Sequence, residues 1–454
     1  MFCLPRTVVN GRRKSTLVTT SGEGGVRLRG GSDNAPAASS AARPYFGWRI
    51  VCALFLAIFA LFGVSIFSFI IFTAPLAEEY GWSAAQMGSL VSAMWLVAPL
   101  ALFAGPITAH VSPWRLVILG LCIQAVALLA LGHISELWQL YLLRIGMGLG
   151  KIMTAMSAPL IVARWFSRRF ATAVAIVWAG GAAGGLVLAP LTEALVQAFG
   201  WRPASGMLTL AVLAIALSVA LLARGPRGPH ELAHDPEGVL TSAEGPAASS
   251  GRAAWAQIGK APALLMVLSI VGIGMTAIAT FSQQPAFLQS AGLSGPIAAT
   301  LLGLTAAGSL VGSASIGWLL DTFRGWWSAA LVAGAVYVGV LTLAVLPGHP
   351  SVLIAAVGAL ALGYGFGAGE VLWLTFTKRQ FGEGLFPLTY GGWYFALQLG
   401  YALGGGVAGW TTEHLGSKGF LLLLAALYLT PTLVSLALRA ARWRPAALEQ
   451  AASR

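Results

Sequence analysis

Charge is what this chain has least of. Only 9% of its 454 residues are Asp, Glu, Lys or Arg, against about 25% in a soluble globular domain. That scarcity, with 57% hydrophobic residues and a mean hydropathy of +0.80, excludes a water-soluble fold and implies many bilayer crossings. Cysteine is almost missing: Cys3, Cys52 and Cys122 make no disulfide framework, and two of them fall in apolar runs as small packing residues. No Gly-x-x-x-x-Gly-Lys-[Ser/Thr] occurs, so ATP hydrolysis at a P-loop is excluded. No signal-peptide-like segment is expected before residue 48. The histidines (His110, His133, His230, His234, His349, His414) lie in connectors or at the ends of apolar runs. No metal, cofactor or catalytic set is therefore expected, and an intramembrane enzyme is the most remote reading.

What is present is regular. Apolar segments fall at approximately 48–74, 84–109, 114–132, 137–163, 171–197 and 204–223, and again at 261–288, 296–320, 326–346, 351–376, 388–410 and 419–438. Each is long enough to cross the hydrocarbon core as a helix. The predicted organisation is an N-terminal tail (1–43), a six-helix bundle (44–223), a linker (224–259), a second six-helix bundle (260–438) and a C-terminal tail (439–454). The tail 1–43 is rich in Arg, Ser and Gly and poor in acids, which suits an organelle transit peptide or, without an amphipathic face, a disordered tail. The linker is rich in Gly, Pro, Ser and Ala, hence flexible. Its His230-Glu231-Leu-Ala-His234 matches a zinc-protease pattern, but flanking prolines deny it the helix that the pattern needs, so it reads as chance.

The net charge of +12 would suggest nucleic acid in a soluble chain. Its placement says otherwise. Connectors on one side hold Arg115, Arg164, Arg168, Arg169, Arg224, Arg324, Lys378 and Arg379, whereas the other side receives only Arg202 and Lys418, beside Glu78, Glu79, Glu136 and Glu413. That asymmetry puts both termini in the cytoplasm of a multi-pass protein of the cell membrane, plasma or inner, with the bilayer and not nucleic acid as its partner.

Few charges lie at membrane depth, and each needs a reason, because insertion costs at least about 2.5–3.5 kcal/mol. Arg144 and Lys151 stand two turns apart on one face of the fourth span, about 10 Å along its axis, with Gly148 between them. They suit a carboxylate, as a planar fork and a point charge; they equally suit an acid that locks the bundle. Glu370 is the only acid well inside a second-half span. It is a candidate proton or charge-balancing group, or a structural partner of Lys378, Arg379 or Arg168. Asp321, Arg168, Arg169 and Arg379, at the cytoplasmic helix ends, serve topology and suit a cytoplasmic gate. Gln283 in span seven and Gln398 in span eleven are further candidates for substrate contact. Gly180 and Gly184, Gly308 and Gly312, and Gly400 and Gly404 hold small-x-x-x-small spacing, which suits close helix packing.

The halves repeat weakly. Gly105-Pro-Ile-Thr-Ala-His between spans two and three answers to Gly317-Trp-Leu-Leu-Asp-Thr between eight and nine, and Arg164-Trp-Phe-Ser-Arg-Arg answers to Lys378-Arg-Gln-Phe-Gly. With Phe46-Gly-Trp-Arg-Ile-Val, Tyr80-Gly-Trp-Ser, Gly200-Trp-Arg and Gly365-Phe-Gly-Ala-Gly-Glu370, the chain over about 46–440 resembles the major facilitator superfamily. Within it, the bacterial monocarboxylate-porter and oxalate/formate-antiporter group is the most similar. The resemblance implies an all-α membrane fold of two pseudo-symmetric six-helix halves, with spans one, four, seven and ten lining a central cavity. It also implies alternating access at a site between the halves. Two departures stand out: Ala109 and His110 replace the Asp and Arg of the superfamily's first-half loop, and Tyr394 and Gln398 stand where oxalate-type members carry a cation. The second departure speaks against a doubly charged substrate. The expected function is secondary transport of a small organic anion, a monocarboxylate, by a monomer using proton symport or anion exchange. Drug or metabolite efflux on the same fold is the alternative.

Overall fold

A backbone in lipid has no water to bond, so apolar runs of this length close their hydrogen bonds internally as helices. The computed structural model describes residues 46–82, 84–166, 169–223, 260–322 and 327–440, and every regular element among them is helical. Arg168, both tails as far as 45 and from 441, and the linker 224–259 with its His230–His234 match lie outside the described residues. Eight of the described helices are long and apolar enough to cross a membrane, and three shorter apolar ones, Met94–His110, Ala330–Val345 and Lys418–Leu429, accompany them.

Span one runs Gly47–Phe62, a π-helical turn Gly63–Ser68, then Phe69–Tyr80. Span two is Ala84–Ala93, a 3-10 stretch Met94–Phe103 containing Pro99, and Ala104–His110. Spans three to nine are Pro113–Leu131, Leu137–Trp165, Phe170–Phe199, Trp201–Leu222, Lys260–Ser290, Gly295–Thr322 and Trp327–Val345. The remaining helical run, Val352–Ala440, counts 89 residues and would reach about 130 Å if straight. It is folded back twice. The rings of Trp373 and Trp393 lie 5.6 Å apart, and the Tyr428 hydroxyl donates to the Gly365 carbonyl at 3.4 Å. Gly416, at φ +65°, takes the left-handed conformation that ends the middle segment. Spans ten, eleven and twelve therefore share this run.

Span one extends past its predicted end because Glu79 is held there. Its carboxylate accepts from Trp201 Nε1 at 2.8 Å and from Arg202 at 2.7 and 3.1 Å, and Arg202 also reaches the Tyr80 hydroxyl at 3.0 Å. Span four starts on a capping box, with the Gln139 side chain accepting from the Glu136 amide at 3.2 Å.

Two large buried clusters make most of the core, one mainly from Ile50 to Val219 that also takes in Leu374, Phe386, Tyr390 and Tyr394, and one mainly from Ile270 to Tyr428 that also takes in Ala171 and Ala175. Their packing repeats. In the first half a Cβ on Gly180 would meet the Phe55 carbonyl at 2.5 Å and one on Gly184 would strike the Phe59 carbonyl, so span five lies directly on span one. In the second half Gly400 and Gly404 meet the backbone of Val271 and Met275, laying span eleven on span seven. Likewise Gly148 brings span four onto Met94 of span two, and Gly363 and Gly367 bring span ten onto Thr305 and Ser309 of span eight. Each half thus has the same helix neighbours, made possible by missing side chains at corresponding places.

Overpacking such a contact costs about 1–3 kcal/mol. Gly184→Ala is expected to lower the thermal unfolding midpoint of the detergent-purified protein. Gly206→Ala, where nothing lies within 4 Å of the added Cβ, is expected to leave it unchanged or raise it.

Candidate functional site

The two irregular stretches of spans one and two face the cations of span four. Arg144 is buried, and its fork is occupied: Nη1 donates to the Ser65 carbonyl in the π turn at 2.6 Å, and Nε donates to the Leu90 carbonyl in span two at 3.1 Å. Its guanidinium also stands 3.8 Å over the Phe69 ring. A π turn tilts carbonyls away from their ladder, as at Ser65, and a guanidinium can take that carbonyl and the one of Leu90 at once. Arg144 therefore ties spans one and two together; it neither snorkels outward nor meets an acid among the described residues.

Lys151 is held differently. It is 1% exposed, and its Nζ has no hydrogen-bond partner among the described residues. Its contacts are rings: Nζ lies 3.5 Å from the Trp95 centroid and 5.5 Å from that of Phe62. A desolvated cation on a tryptophan face recovers about 2 kcal/mol, which does not replace three lost hydrogen bonds to water. The ammonium is a buried charge without a hydrogen bond among the described residues.

The second half answers it through span eleven. Tyr390, Tyr394, Gln398 and Tyr401 recur every three or four residues, which is one helix face. Tyr390 donates to the Ala155 carbonyl at 2.8 Å, one turn along span four from Lys151. The Tyr394 ring stands 6.4 Å from Trp178 of span five, and the Tyr401 ring 5.0 Å from Trp95. The Tyr401 hydroxyl in turn donates to Glu370 of span ten. Lys151 and Glu370 thus lie within electrostatic reach across the interface without a direct ion pair between them. Glu370 faces this centre and its Tyr401 donor, not the Lys378–Arg379 end considered for it. Met94, Trp95, Ala277 and Tyr401 form a small buried cluster joining both halves beside it.

Of the other candidates, Gln398 has an Oε1 without a partner among the described residues, on the face just described. Gln283 stands apart beside Gly409, on the span-seven stretch whose Gln284 accepts from Thr305 at 2.9 Å.

At the end where spans four, eight and ten finish and spans five and eleven begin, the halves are latched. Asp321 accepts from the free amides of Ala171 and Thr172 at 3.3 and 2.7 Å, capping span five from the other half, and Arg379 approaches it at 3.7 Å. Arg379 also donates to the Leu320 carbonyl at 2.6 Å, and Lys378 to the Phe166 carbonyl at 3.1 Å while 4.0 Å over Phe170. Asp321 and Arg379 are together; Arg169 is the exposed residue preceding span five. Sequence reasoning does not find Trp95, Tyr401 or the part played by Lys378. A tryptophan in mid-span, away from the interfacial belt, is the available signal for the first, and the periodicity of span eleven for the second.

Two similar sets of packed helices meeting at a buried cation and a half-buried acid suit a membrane transporter and not an enzyme. Residues 53–386 match the Major Facilitator Superfamily, and the chain belongs to that family. It is similar to monocarboxylate transporter 12 of Rattus norvegicus, 26% identical over 404 residues, covering 82% of this chain and 81% of the relative. It is similar also to monocarboxylate transporter 13 of the same species, 28% identical over 343 residues, with 73% and 74% covered. Among solved structures, the proton:xylose symporter XylE, bound to 6-bromo-6-deoxy-D-glucose, superposes with a TM-score of 0.69 at 14% identity, over 87% of this chain and 95% of that one. FucP in the outward conformation superposes with a TM-score of 0.64 at 13% identity, over 84% and 97%.

The contrast between the two cations is measurable as stability. Arg144→Lys strands at least one buried carbonyl, a loss of about 1–3 kcal/mol, so its melting temperature is expected to fall. Lys151→Met replaces an unpaired buried charge by an apolar chain of similar length, so its melting temperature is expected to hold or rise.

Proposed function

We propose that this protein is a secondary active carrier of a small organic anion, a monocarboxylate, coupled to a proton or to a counter-anion. The observation that carries the reading is the Lys151 ammonium, buried on an aromatic face with no hydrogen-bond partner among the described residues. A carboxylate supplies what that site lacks, two charged acceptor oxygens for three donors. The monocarboxylate transporters among the relatives support the same substrate class. Export of amphipathic cations, the alternative on this fold, would put a cationic substrate against Lys151.

Charge balance suggests the coupling. When an anion pairs with Lys151, the centre gains one negative charge, and a proton on Glu370 restores the sum. Gln398 contributes a neutral contact, and Arg144 keeps spans one and two in register. The helix-packing glycines, Gly180, Gly184, Gly400 and Gly404, give surfaces that slide without interlocking side chains. With the basic connectors in the cytoplasm of a cell-membrane monomer, the Asp321–Arg379 latch closes the cytoplasmic side, aided by Arg168 and Arg169 as neighbouring charges.

Counterflow of labelled mono- and dicarboxylates into proteoliposomes tests this. A monocarboxylate should exchange in the native protein and fail in Lys151→Met. Glu370→Gln should keep exchange and lose accumulation driven by a pH gradient. No exchange of any carboxylate by folded protein would overturn the reading in favour of efflux.

The latch is tested separately. With native cysteines replaced by serine, Ala155→Cys should be labelled from the cytoplasmic side several times faster when Asp321→Ala is added. Unchanged labelling would mean that Asp321 holds no gate.

A further inference from the structure

We propose that Tyr401 is the positioning residue that links the two charged groups at the centre: its hydroxyl governs protonation of Glu370, and its ring holds Trp95 on Lys151. This rests on the carrier reading above and names the residue through which the anion site and the proton site act on one another.

The link is a chain of contacts that crosses from one half to the other. Lys151 Nζ lies 3.5 Å from the Trp95 centroid, and the Trp95 and Tyr401 rings stand 5.0 Å apart, inclined by 53°. The Tyr401 hydroxyl donates to the half-buried Glu370 carboxylate. Each ring is carried where its own half packs backbone on backbone. Trp95 follows Met94, whose carbonyl fills the space that a side chain on Gly148 would need, one turn before Lys151. Tyr401 follows Gly400, and a Cβ on Gly274 of span seven would meet the Tyr401 amide nitrogen at 3.2 Å. Neither backbone shifts without moving a span, so the two rings are presented to one another by the frame. Where the halves meet, ring meets ring, a contact that parts and re-forms without stranding a polar group.

The hydroxyl is placed as its neighbours on span eleven are not. Tyr390 donates to the Ala155 carbonyl at 2.8 Å, and the Tyr394 hydroxyl has no hydrogen-bond partner among the described residues. A donor on a carboxylate favours its ionised form, because a charge-assisted hydrogen bond is stronger than a neutral one. Lys151 of span four favours the same form from across the interface. The other titratable groups around this turn are phenols that bring no charge. Tyr390 and Tyr394 are within electrostatic reach of Glu370, and Tyr428 of span twelve lies beside Gly369, with Tyr337 of span nine behind it. Spans eight and nine meet span ten through Thr305, Ser309, Val332 and Val336, which do not titrate.

Infrared titration of the detergent-purified full chain reads the hydroxyl directly. The carbonyl band of protonated Glu370 is assigned by its absence from Glu370→Gln. In Tyr401→Phe, which keeps the ring, that band should persist to a pH about one unit higher, a tenfold change in proton concentration. The pH profile of monocarboxylate counterflow should move in the same direction, and only through Glu370: adding Tyr401→Phe to Glu370→Gln should leave the profile of Glu370→Gln in place. A packing role alone would lower the yield of folded protein and move neither. The ring is read against the hydroxyl. Tyr401→Leu should raise the half-saturating concentration of the acid several-fold above that of Tyr401→Phe. If Tyr401→Leu does not assemble, Trp95→Leu breaks the same contact from the first half and should raise it above the native value. A band that titrates at the native pH in Tyr401→Phe, or a half-saturating concentration that ignores loss of the ring contact, overturns the inference. If the native protein exchanges no carboxylate, the substrate reading falls, and the infrared titration, which needs no substrate, still decides this one.

Discussion

An ammonium buried without a hydrogen-bonded counter-ion is the constraint around which the centre of this protein is built. Lys151 is 1% exposed, and among the described residues its Nζ is matched only by rings, with Trp95 at 3.5 Å. Such a charge is tolerable because the nearest compensation lies across the interface, where Glu370 is reached through Tyr401. Neither half balances its own charge, so the halves have an electrostatic reason to stay close at this depth. They have an equal reason to reorganise when something else supplies the missing negative charge. Arg144, seven residues earlier, shows the opposite solution. Its fork is spent on the carbonyls of Ser65 and Leu90, which makes it part of the frame.

That frame depends on close approach. Span five lies on span one through Gly180 and Gly184, and span eleven on span seven through Gly400 and Gly404, with carbonyl oxygens where side chains would otherwise stand. In lipid there is no hydrophobic drive between helices, so dispersion at short range has to do this work. The surfaces so formed are smooth. The same choice of residue therefore gives both tight packing within a half and low resistance to one helix moving along another.

Much of this is legible in the sequence because its cause is local. Apolar length defines the spans, and basic residues at their ends define which ends belong together. A charge in an apolar run is visible as an anomaly, which is why Arg144, Lys151 and Glu370 stand out from their neighbours in the chain. What a charge touches is not local. Arg144 and Lys151 share a helix face and a charge, yet one meets the carbonyls of Ser65 and Leu90 and the other meets Trp95, and only the fold of spans one and two separates them. Spans one and two are irregular at Gly63–Ser68 and Met94–Phe103; Pro99 hints at the second, and no comparable signal announces the first. Aromatic residues hide for a related reason. Tryptophan and tyrosine are common at membrane interfaces, so their use as lining at depth has to be read from the periodicity of one span.

The departure from the family pattern at Ala109 and His110 acquires a physical meaning beside Asp321. In the second half, Asp321 puts a carboxylate on the free amides at the start of span five, where the helix dipole adds to its attraction. At the corresponding place in the first half no acid stands; instead a Cβ added to Gly105 would meet the Leu388 backbone at 3.5 Å, and one on Gly391 would meet Ala101 and Ala104. One contact is held by charge and directed hydrogen bonds, the other by packing at van der Waals range. Packing yields gradually and ignores salt and charge, whereas a capped helix terminus is either capped or not. A face held by contacts of both kinds depends most on its electrostatic elements, Asp321 on the start of span five and Lys378 on the Phe166 carbonyl. With no first-half acid there, the directed contacts at this face are made by second-half side chains, and Asp321 is accompanied by Arg379 at 3.7 Å.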